Sequence, residues 1–470
     1  MSSPAAKPYA VLAVVAVGTL MAALGSSLIN VAVPLVRRDL GADIGAASWV
    51  LAAYSLSVSA LLLPFGRVGD RHGKGRVYTV GFGVFGVGSA LSALAPTLAA
   101  LVAARAFQGA GAAMLMANGP ALTTAAFPPA QRGRALGLQA TATYLGLSLG
   151  PSIGGWLAQA AGWHVVFWIN VPISVAGALL ARSLVWGGAA GAPLAAGRAR
   201  PFPWASALLF GPALSALLVA VTRGQSWGFW SPRFVFLLVL GVVLAAAFVR
   251  VERRSPAPLL SAALLREPAF ASGLAAAFVQ YAAVYMLMFL LPFYLQGPLA
   301  MSAAEAGVVM TVQPAAMALI TFGSGWLSDR VGTRGPAVAG IAVLAIGLAS
   351  VALLGSEPER ASVLAALSLV GLGSGLFTSP NNSRIMGAAP REQQGTAAGL
   401  LAEARNVGML CGVAASGAVF AALGGGRPGE GGGAFGAAFQ GTILAAAVLA
   451  GLGVLASAAP PRAATAPPSR

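Results

Sequence analysis

From Tyr9 to Ala458 the chain is a succession of continuous apolar runs, each close to the ~20 residues that one helical bilayer crossing needs. Charges, prolines and glycine clusters divide them into fourteen predicted helices, at 9–33, 47–66, 77–95, 97–117, 135–158, 165–184, 204–222, 233–250, 269–292, 305–327, 336–355, 361–380, 397–423 and 436–458. The strands of an outer-membrane barrel would instead alternate apolar and polar residues over ~10 positions. Composition narrows the class further. The chain is 58% hydrophobic and 9% charged, with a mean hydropathy of +0.82, whereas a soluble domain is ~25% charged. A chain this apolar cannot present a polar surface to water, which excludes a soluble enzyme and a disordered protein. The predicted fold class is all-α, a polytopic membrane protein.

A net charge of +16 would suggest nucleic acid as the partner of a soluble protein. Here the distribution of the charges points to a lipid bilayer instead. With the N-terminus inside, the inner segments carry Lys7, Arg67, Arg71, Lys74, Arg76, Arg132, Arg134, Arg182, Arg198, Arg200, Arg250, Arg253, Arg254, Arg266, Arg330, Arg334, Arg384, Arg391, Arg462 and Arg470. The outer segments carry Arg37, Arg38, Arg223, Arg233, Arg360 and Arg427. This asymmetry of about three to one has the sign of the positive-inside rule. Fourteen spans return the C-terminus to the cytoplasm, in the plasma membrane of a bacterium. Lys7 and the apolar run after it show no small-residue cleavage site, so the first span is expected to be retained. Cys411 is the sole cysteine and forms no intrachain disulfide. His72 and His164 are too few for a structural zinc site, and no metal or organic cofactor is expected.

The sequence repeats weakly. Gly66-Arg-Val-Gly-Asp70-Arg71-His-Gly73-Lys74 follows the second span, and Gly325-Trp-Leu-Ser-Asp329-Arg330-Val-Gly332-Thr-Arg334 follows the tenth. Two copies at matching places suggest duplicated six-helix bundles with the substrate path between them. The expected division is a first bundle at 1–184, a linker and an inserted helix pair at 185–250, a cytoplasmic connector at 251–268, a second bundle at 269–458 and a disordered tail at 459–470. In the loop motif, Asp70 with Arg71, Lys74 and Arg76, and Asp329 with Arg330, suit a gate. A carboxylate there pairs with a helix N-terminus or a neighbouring arginine in one conformation and releases it in the other. A plain solvated loop is the alternative.

Three features lie inside spans. Gly146, Gly150 and Gly154 recur at intervals of four, with Pro151 and Gly155 beside them, forming a smooth strip that serves a hinge or close packing. Arg105, followed by Gln108 and Gly109, is a charge inside an apolar run. Its cost at mid-membrane is at least ~2.5 kcal/mol, so it must meet a cavity or a partner, or else snorkel. Arg405 is the second such arginine, and Glu403 the sole acid well inside a span.

These motifs in this order resemble the major facilitator superfamily, and within it the fourteen-span drug:proton antiporter branch. Gly66 to Arg76 is similar to the family's loop motif, Arg105 to Gly109 to its fourth-span motif and Gly146 to Gly155 to its antiporter motif. Leu28-Ile-Asn30-Val-Ala-Val-Pro34, Trp163 with Phe167 to Pro172, Leu291 to Gln296, Ser379 to Asn381 and Gly395 to Arg405 match further signatures of the branch. The resemblance implies two six-helix bundles plus two inserted central helices, alternating access and the proton gradient as energy source. One departure bears on coupling. The carboxylate thought to carry the proton in relatives falls on Gly25, in Leu24-Gly25-Ser26-Ser27. Elsewhere His164-Val165 replaces an Arg-Trp pair, and Lys74-Gly75 departs slightly from the loop motif.

Glycine cannot titrate, so Glu403 becomes the expected protonatable group; neutralising Arg405 is its alternative role. Two residues apart on a helix, the pair point to different faces. The remaining polar residues inside spans are Ser26, Ser27, Asn30, Tyr54, Gln108, Asn118, Gln139, Tyr144, Gln280, Tyr281, Tyr285, Gln313 and Asn382. They are expected either to line the path or to form interhelical hydrogen bonds. Tyr281 and Tyr285, one turn apart with Gln280 adjacent, either pack toward lipid or the core or make a shelf for a flat apolar cation. Gly81-x-Gly83-x-x-Gly86 has no strand before it and is not a nucleotide site. No P-loop is present, and Asn381-Asn-Ser383 lies too near the cytoplasmic side for glycosylation. The expected function is proton-driven export of an amphipathic drug or secondary metabolite by a monomer that is not an enzyme. A uniporter, an exporter driven otherwise, a nutrient symporter and a lipid-handling or channel protein are the alternatives.

Overall fold

The computed structural model describes residues 6–128, 131–186, 204–228, 230–255, 262–355, 358–389, 394–425 and 432–458. The expected linker core at 187–203 and the tail at 459–470 lie outside the described residues. Among the described residues the structure is helical, without strands. The helices are α1 (Ala6–Asp39), α2 (Ile44–Ala47), α3 (Trp49–His72), α4 (Lys74–Ala93), α5 (Leu98–Ala126), α6 (Arg132–Ala161), α7 (Val165–Trp168), α8 (Asn170–Leu184), α9 (Trp204–Trp227), α10 (Pro232–Arg254), α11 (Ala262–Arg266), α12 (Pro268–Gln296), α13 (Ala303–Val331), α14 (Arg334–Ala352), α15 (Arg360–Ala388), α16 (Gln394–Ala422) and α17 (Gly432–Ala458).

Eleven helices among the described residues are long and apolar enough to cross a membrane, fewer than the fourteen expected. The spans expected at 77–95, 135–158 and 204–222 are the ones outside this count. They fall on α4, α6 and α9. Lys74 and Arg76 in the first turn of α4, with its five glycines, dilute its apolar character. α6 and α9 each run through residues whose side chains lie outside the described set.

Boundaries follow local chemistry. The break expected near Pro96 is present: α4 ends at Ala93, and the Thr97 hydroxyl accepts from the Ala100 N–H to cap α5. Ser302 and Glu305 form a reciprocal capping box at the start of α13. Two spans run past their expected ends at 117 and 380. α5 continues through Pro120 to Ala126, and α15 through Pro380 to Ala388. Packing against neighbouring helices makes such interruptions tolerable in a membrane protein. The expected loop motif is also more helical than its name. α3 runs to His72 and α13 to Val331. The turn is made at Gly73 (φ 99) and Gly332 (φ 82), a backbone region that favours glycine.

Packing falls into two matching groups. α1 packs on α6, α3 on α5, α4 on α5 and α8, and α1 on α8. In the same pattern α12 packs on α16, α13 on α15, α14 on α15 and α17, and α12 on α17. The correspondence reaches individual residues. A Cβ on Gly111 would lie 2.4 Å from the Phe85 nitrogen, and one on Gly373 2.3 Å from the Leu344 nitrogen. Glycine therefore lets α4 and α14 close on their partners at equivalent heights. α9 touches both α3 and α16, and α10 packs on α9.

The apolar cores differ between the two ends of the molecule. At the end away from the chain termini, one cluster joins both groups: Leu28, Val36, Val50 and Phe167 pack in the same core as Phe289, Met310 and Phe420. At the end bearing the termini the cores are separate. Val11, Tyr78 and Leu122 belong to one, and Phe270, Ile385 and Leu400 to another.

Candidate functional site

Between the two groups lies a cavity of about 70 Å³ lined from α1, α6, α12 and α13. α12 presents Gln280, Tyr281, Val284, Tyr285 and Met288, spaced as one helical face. α13 presents Met310, Gln313, Pro314 and Met317 with the same spacing; α1 adds Ser27 and Asn30, and α6 adds Leu147 and Pro151. The Tyr281 and Tyr285 rings stack at 17° with centroids 6.4 Å apart. The Arg405 guanidinium lies 5.6 Å from the Tyr281 centroid and donates to Asn382 Oδ1 at 2.6 Å. The buried Gln280 Oε1 has no hydrogen-bond partner among the described residues. Such an acceptor favours a ligand that brings a donor, because leaving it unpaired costs ~1–3 kcal/mol.

The cavity is closed at the end away from the termini by a seam between α6 and α13. Glycine carries it from both sides. A Cβ on Gly155 would sit 2.2 Å from the Ala303 carbonyl oxygen, and one on Gly307 2.3 Å from the Pro151 carbonyl oxygen. The Ser152 and Thr311 hydroxyls meet at 2.6 Å, and the Ala304 N–H donates to Gln159 Oε1. Gln296 Nε2 adds a bond from α12 to the Val31 carbonyl of α1 at 2.8 Å. The other strip glycines face the same group. Gly146 and Gly154 abut the Leu20 and Leu28 carbonyls of α1, and Gly150 abuts the Ser27 hydroxyl.

Arg105 is fully buried. Its Nε donates to the Val50 carbonyl at 3.0 Å and a terminal nitrogen to the Gly25 carbonyl at 3.1 Å and to Gln108 Oε1. Gln108 Nε2 in turn donates to Ser89 Oγ. The guanidinium lies 4.2 Å from the Tyr54 centroid. Among the described residues this cation has no carboxylate partner; backbone oxygens, an amide and a ring face surround it. A Cβ on Gly25 would meet the tip of the Phe85 ring at 2.7 Å, so the space is filled by that ring.

Glu403 and Arg405 point to different helices. Arg405 reaches α12 and α15, while Glu403 is buried at the packing of α16 on α3, against Ser59. Among the described residues, neither its carboxylate oxygens nor Ser59 Oγ has a partner at hydrogen-bond distance. α9 covers the same junction: a Cβ on its Gly211 would be 3.1 Å from Ala60 of α3, and Leu214 packs with Ala52, Leu410 and Cys411.

The polar residues expected on the path divide. Asn30, Gln280, Tyr281, Tyr285 and Gln313 share the cavity. Tyr54 is not on it and donates to the Ala22 carbonyl beneath Arg105. Asn118 sits between α3 and α5, donating to the Phe65 and Met114 carbonyls. Ser26 bonds back to Ala23 in its own helix. The side chain of Tyr144 lies outside the described residues, as do those of Asp70 and Asp329. Of the rest of the gate motif, Gly66 faces Ala117 and Gly325 faces Ser379, nineteen residues into α5 and α15 respectively. Arg71 and Arg76 are exposed, Lys74 is half-buried, and Arg330 lies 3.9 Å from the Trp326 centroid. Sequence reasoning missed the three methionines of the cavity. Their helical register with Gln280 and Gln313 was the available signal.

The family model described as Major Facilitator Superfamily matches residues 15–209, 202–413 and 273–469. The riboflavin transporter RibZ of Clostridioides difficile is 32% identical over 88% of this chain and 88% of its own. The multidrug resistance protein Stp of Mycobacterium tuberculosis is 32% identical over 86% of this chain and 74% of its own. A crystal structure of a POT family transporter in complex with 5-aminolevulinic acid has the same fold, with a TM-score of 0.70 at 14% identity, over 95% of this chain and 94% of that one. With its many apolar helices and drug-efflux relatives, this chain is a multi-pass membrane protein that belongs to the major facilitator superfamily.

Proposed function

We propose that this protein is an exporter of amphipathic compounds that alternates access between its two helix groups. The reading has fourteen spans, both termini in the cytoplasm and the bacterial inner membrane as location. The observation that carries it is the cavity between α1, α6, α12 and α13, sealed at one end by the glycine seam while the cores separate at the other. Under the positive-inside orientation the sealed end is external, so the conformation is inward-facing. Two stacked tyrosines, three methionines and the amides of Gln280, Gln313 and Asn30 suit an aromatic or cationic amphiphile. Thioethers adapt to varied shapes, and amides orient without demanding one charge.

Proton exchange is assigned to Glu403. Its charge state bears on how α16 packs on α3, and Arg405 two residues on touches the cavity through Tyr281. The test uses protein in liposomes with an internal pH dye and a panel of lipophilic cations and neutral antibiotics. Substrate-dependent proton movement that disappears in Glu403→Gln is expected. Unchanged pH-driven transport by that variant would refute the assignment, and substrate flux indifferent to pH would make the protein a uniporter. Riboflavin belongs in the panel as a second reading, because RibZ is similar over most of the chain and a flat isoalloxazine ring fits the tyrosine pair.

A further inference from the structure

We propose that the groove between α9 and α10 is a binding site for an anionic phospholipid of the leaflet at which α10 ends. The groove has a volume of about 620 Å³. Its α10 wall is one helical face that changes character along its length. Val242, Ala245, Ala246 and Val249 are apolar, and Arg250, Arg253 and Arg254 continue the face. The apolar part spans about 10 Å at 1.5 Å per residue, the reach of several acyl methylenes. Leu217 of α9 forms the opposite wall. It also receives Gly241, where an added Cβ would lie 2.7 Å from its side chain, so the two helices are in contact at the groove's upper end.

The three arginines are exposed, and they make no hydrogen bond or ion pair among the described residues. The acid of this segment, Glu252, is buried and does not line the groove. A positive-inside bias explains arginines at this end of a span, but not an apolar trough that leads into them. An acyl chain in the trough with a phosphate at its mouth satisfies both parts. Basic pockets at the cytoplasmic ends of transmembrane helices bind anionic headgroups in this way. α10 packs on α9, and only 11% of its apolar window is buried, so lipid reaches the groove directly. A second copy of this chain fits less well. With 12 acids against 28 lysines and arginines, it has little negative charge to set against three guanidinium groups.

The test is retention of phosphatidylglycerol, phosphatidylcholine or soluble glycerol phosphate by the full chain in detergent, read by native mass spectrometry with melting temperature in parallel. Wild type is expected to retain phosphatidylglycerol alone and to be stabilised by it. At about 1 kcal/mol per arginine near the surface, the variant R250Q/R253Q/R254Q should lose about a hundredfold in apparent affinity. Ala246→Trp keeps all the charge but fills the trough, and should lose retention as well. Full retention by either variant overturns the proposal, the second by reducing it to surface charge attraction. Equal retention of phosphatidylcholine or glycerol phosphate overturns it too. A dimer that Ala246→Trp dissociates would give the groove to a second copy and overturn it likewise.

Discussion

Gly154 and Gly155 are adjacent, yet substituting each should report on a different equilibrium. A methyl on Gly155 would be placed 2.2 Å from the Ala303 carbonyl oxygen, across the seam to the other helix group. A methyl on Gly154 would be placed 2.3 Å from the Leu28 carbonyl oxygen, inside its own group. Both obstacles are backbone, so relief requires moving a helix by about an ångström, and overpacking of this kind costs about 1–3 kcal/mol. For Gly155→Ala the cost falls only on the conformation in which α6 and α13 are closed. The ratio of closed to open should drop about 5- to 150-fold, with little change in overall stability. For Gly154→Ala the contact persists in both conformations, so melting temperature falls and the ratio holds. The assay is the distance distribution between spin labels at Ala161 and Ala300 in a Cys411→Ala background, beside a thermal melt of each variant. Gly307→Ala, opposed to the Pro151 carbonyl at 2.3 Å, should behave as Gly155→Ala does. If Gly155→Ala leaves the distances unchanged, or Gly154→Ala shifts them equally, the seam is not a contact that opens between conformations.

Arg105→Lys keeps the charge but cannot span the Val50 and Gly25 carbonyls and Gln108 together. Transport in liposomes should fall at least tenfold, with a lower melting temperature. Gly25→Asp combined with Phe85→Leu would place a carboxylate beside Arg105 in space freed from the ring tip. Relative to Gly25→Asn in the same background, it should melt higher at neutral pH and lose the advantage as acid protonates the carboxylate; equal melting at every pH would refute the pairing. Tyr285→Ala removes half of the cavity's stacked pair, and should weaken binding of a flat aromatic cation by about 0.5–1.5 kcal/mol, or 2- to 13-fold, in fluorescence titration.

The helices were legible because bilayer spans need length and apolarity, both of which are written along the chain. Their ends were less so. The spans read as ending at 117 and 380 continue through Pro120 and Pro380. The loop motif read as a loop because of its charges, although only Gly73 and Gly332 leave helical geometry. The site was partly legible. An intramembrane charge announces itself, so Arg105 and Glu403 stood out. What surrounds each of them did not, because backbone carbonyls as partners have no sequence signature. Tyr54 and Asn118 show the converse. Identity marked them as polar and buried, but only helix rotation decides whether a side chain faces the cavity or a neighbouring carbonyl. The cavity's methionines were hidden in an apolar background that makes any one of them unremarkable.

The contacts that seal the cavity join residues far apart in the chain: Ser152 and Gly307 are 155 positions apart, and Val31 and Gln296 are 265 apart. Contacts within a group stay inside one half of the chain: α4 with α5 and α14 with α15 are consecutive, and α1 with α6 and α12 with α16 bring more distant helices of each half together. Local contacts form early, and distant ones wait for the loop-closure entropy to be met. α8, the last helix of the first group, ends at Leu184, so during synthesis that group's internal contacts can form before the second group exists, and the seam, which needs both, comes last. Alternating access would then repeat, many times in a protein's life, the final step of its assembly.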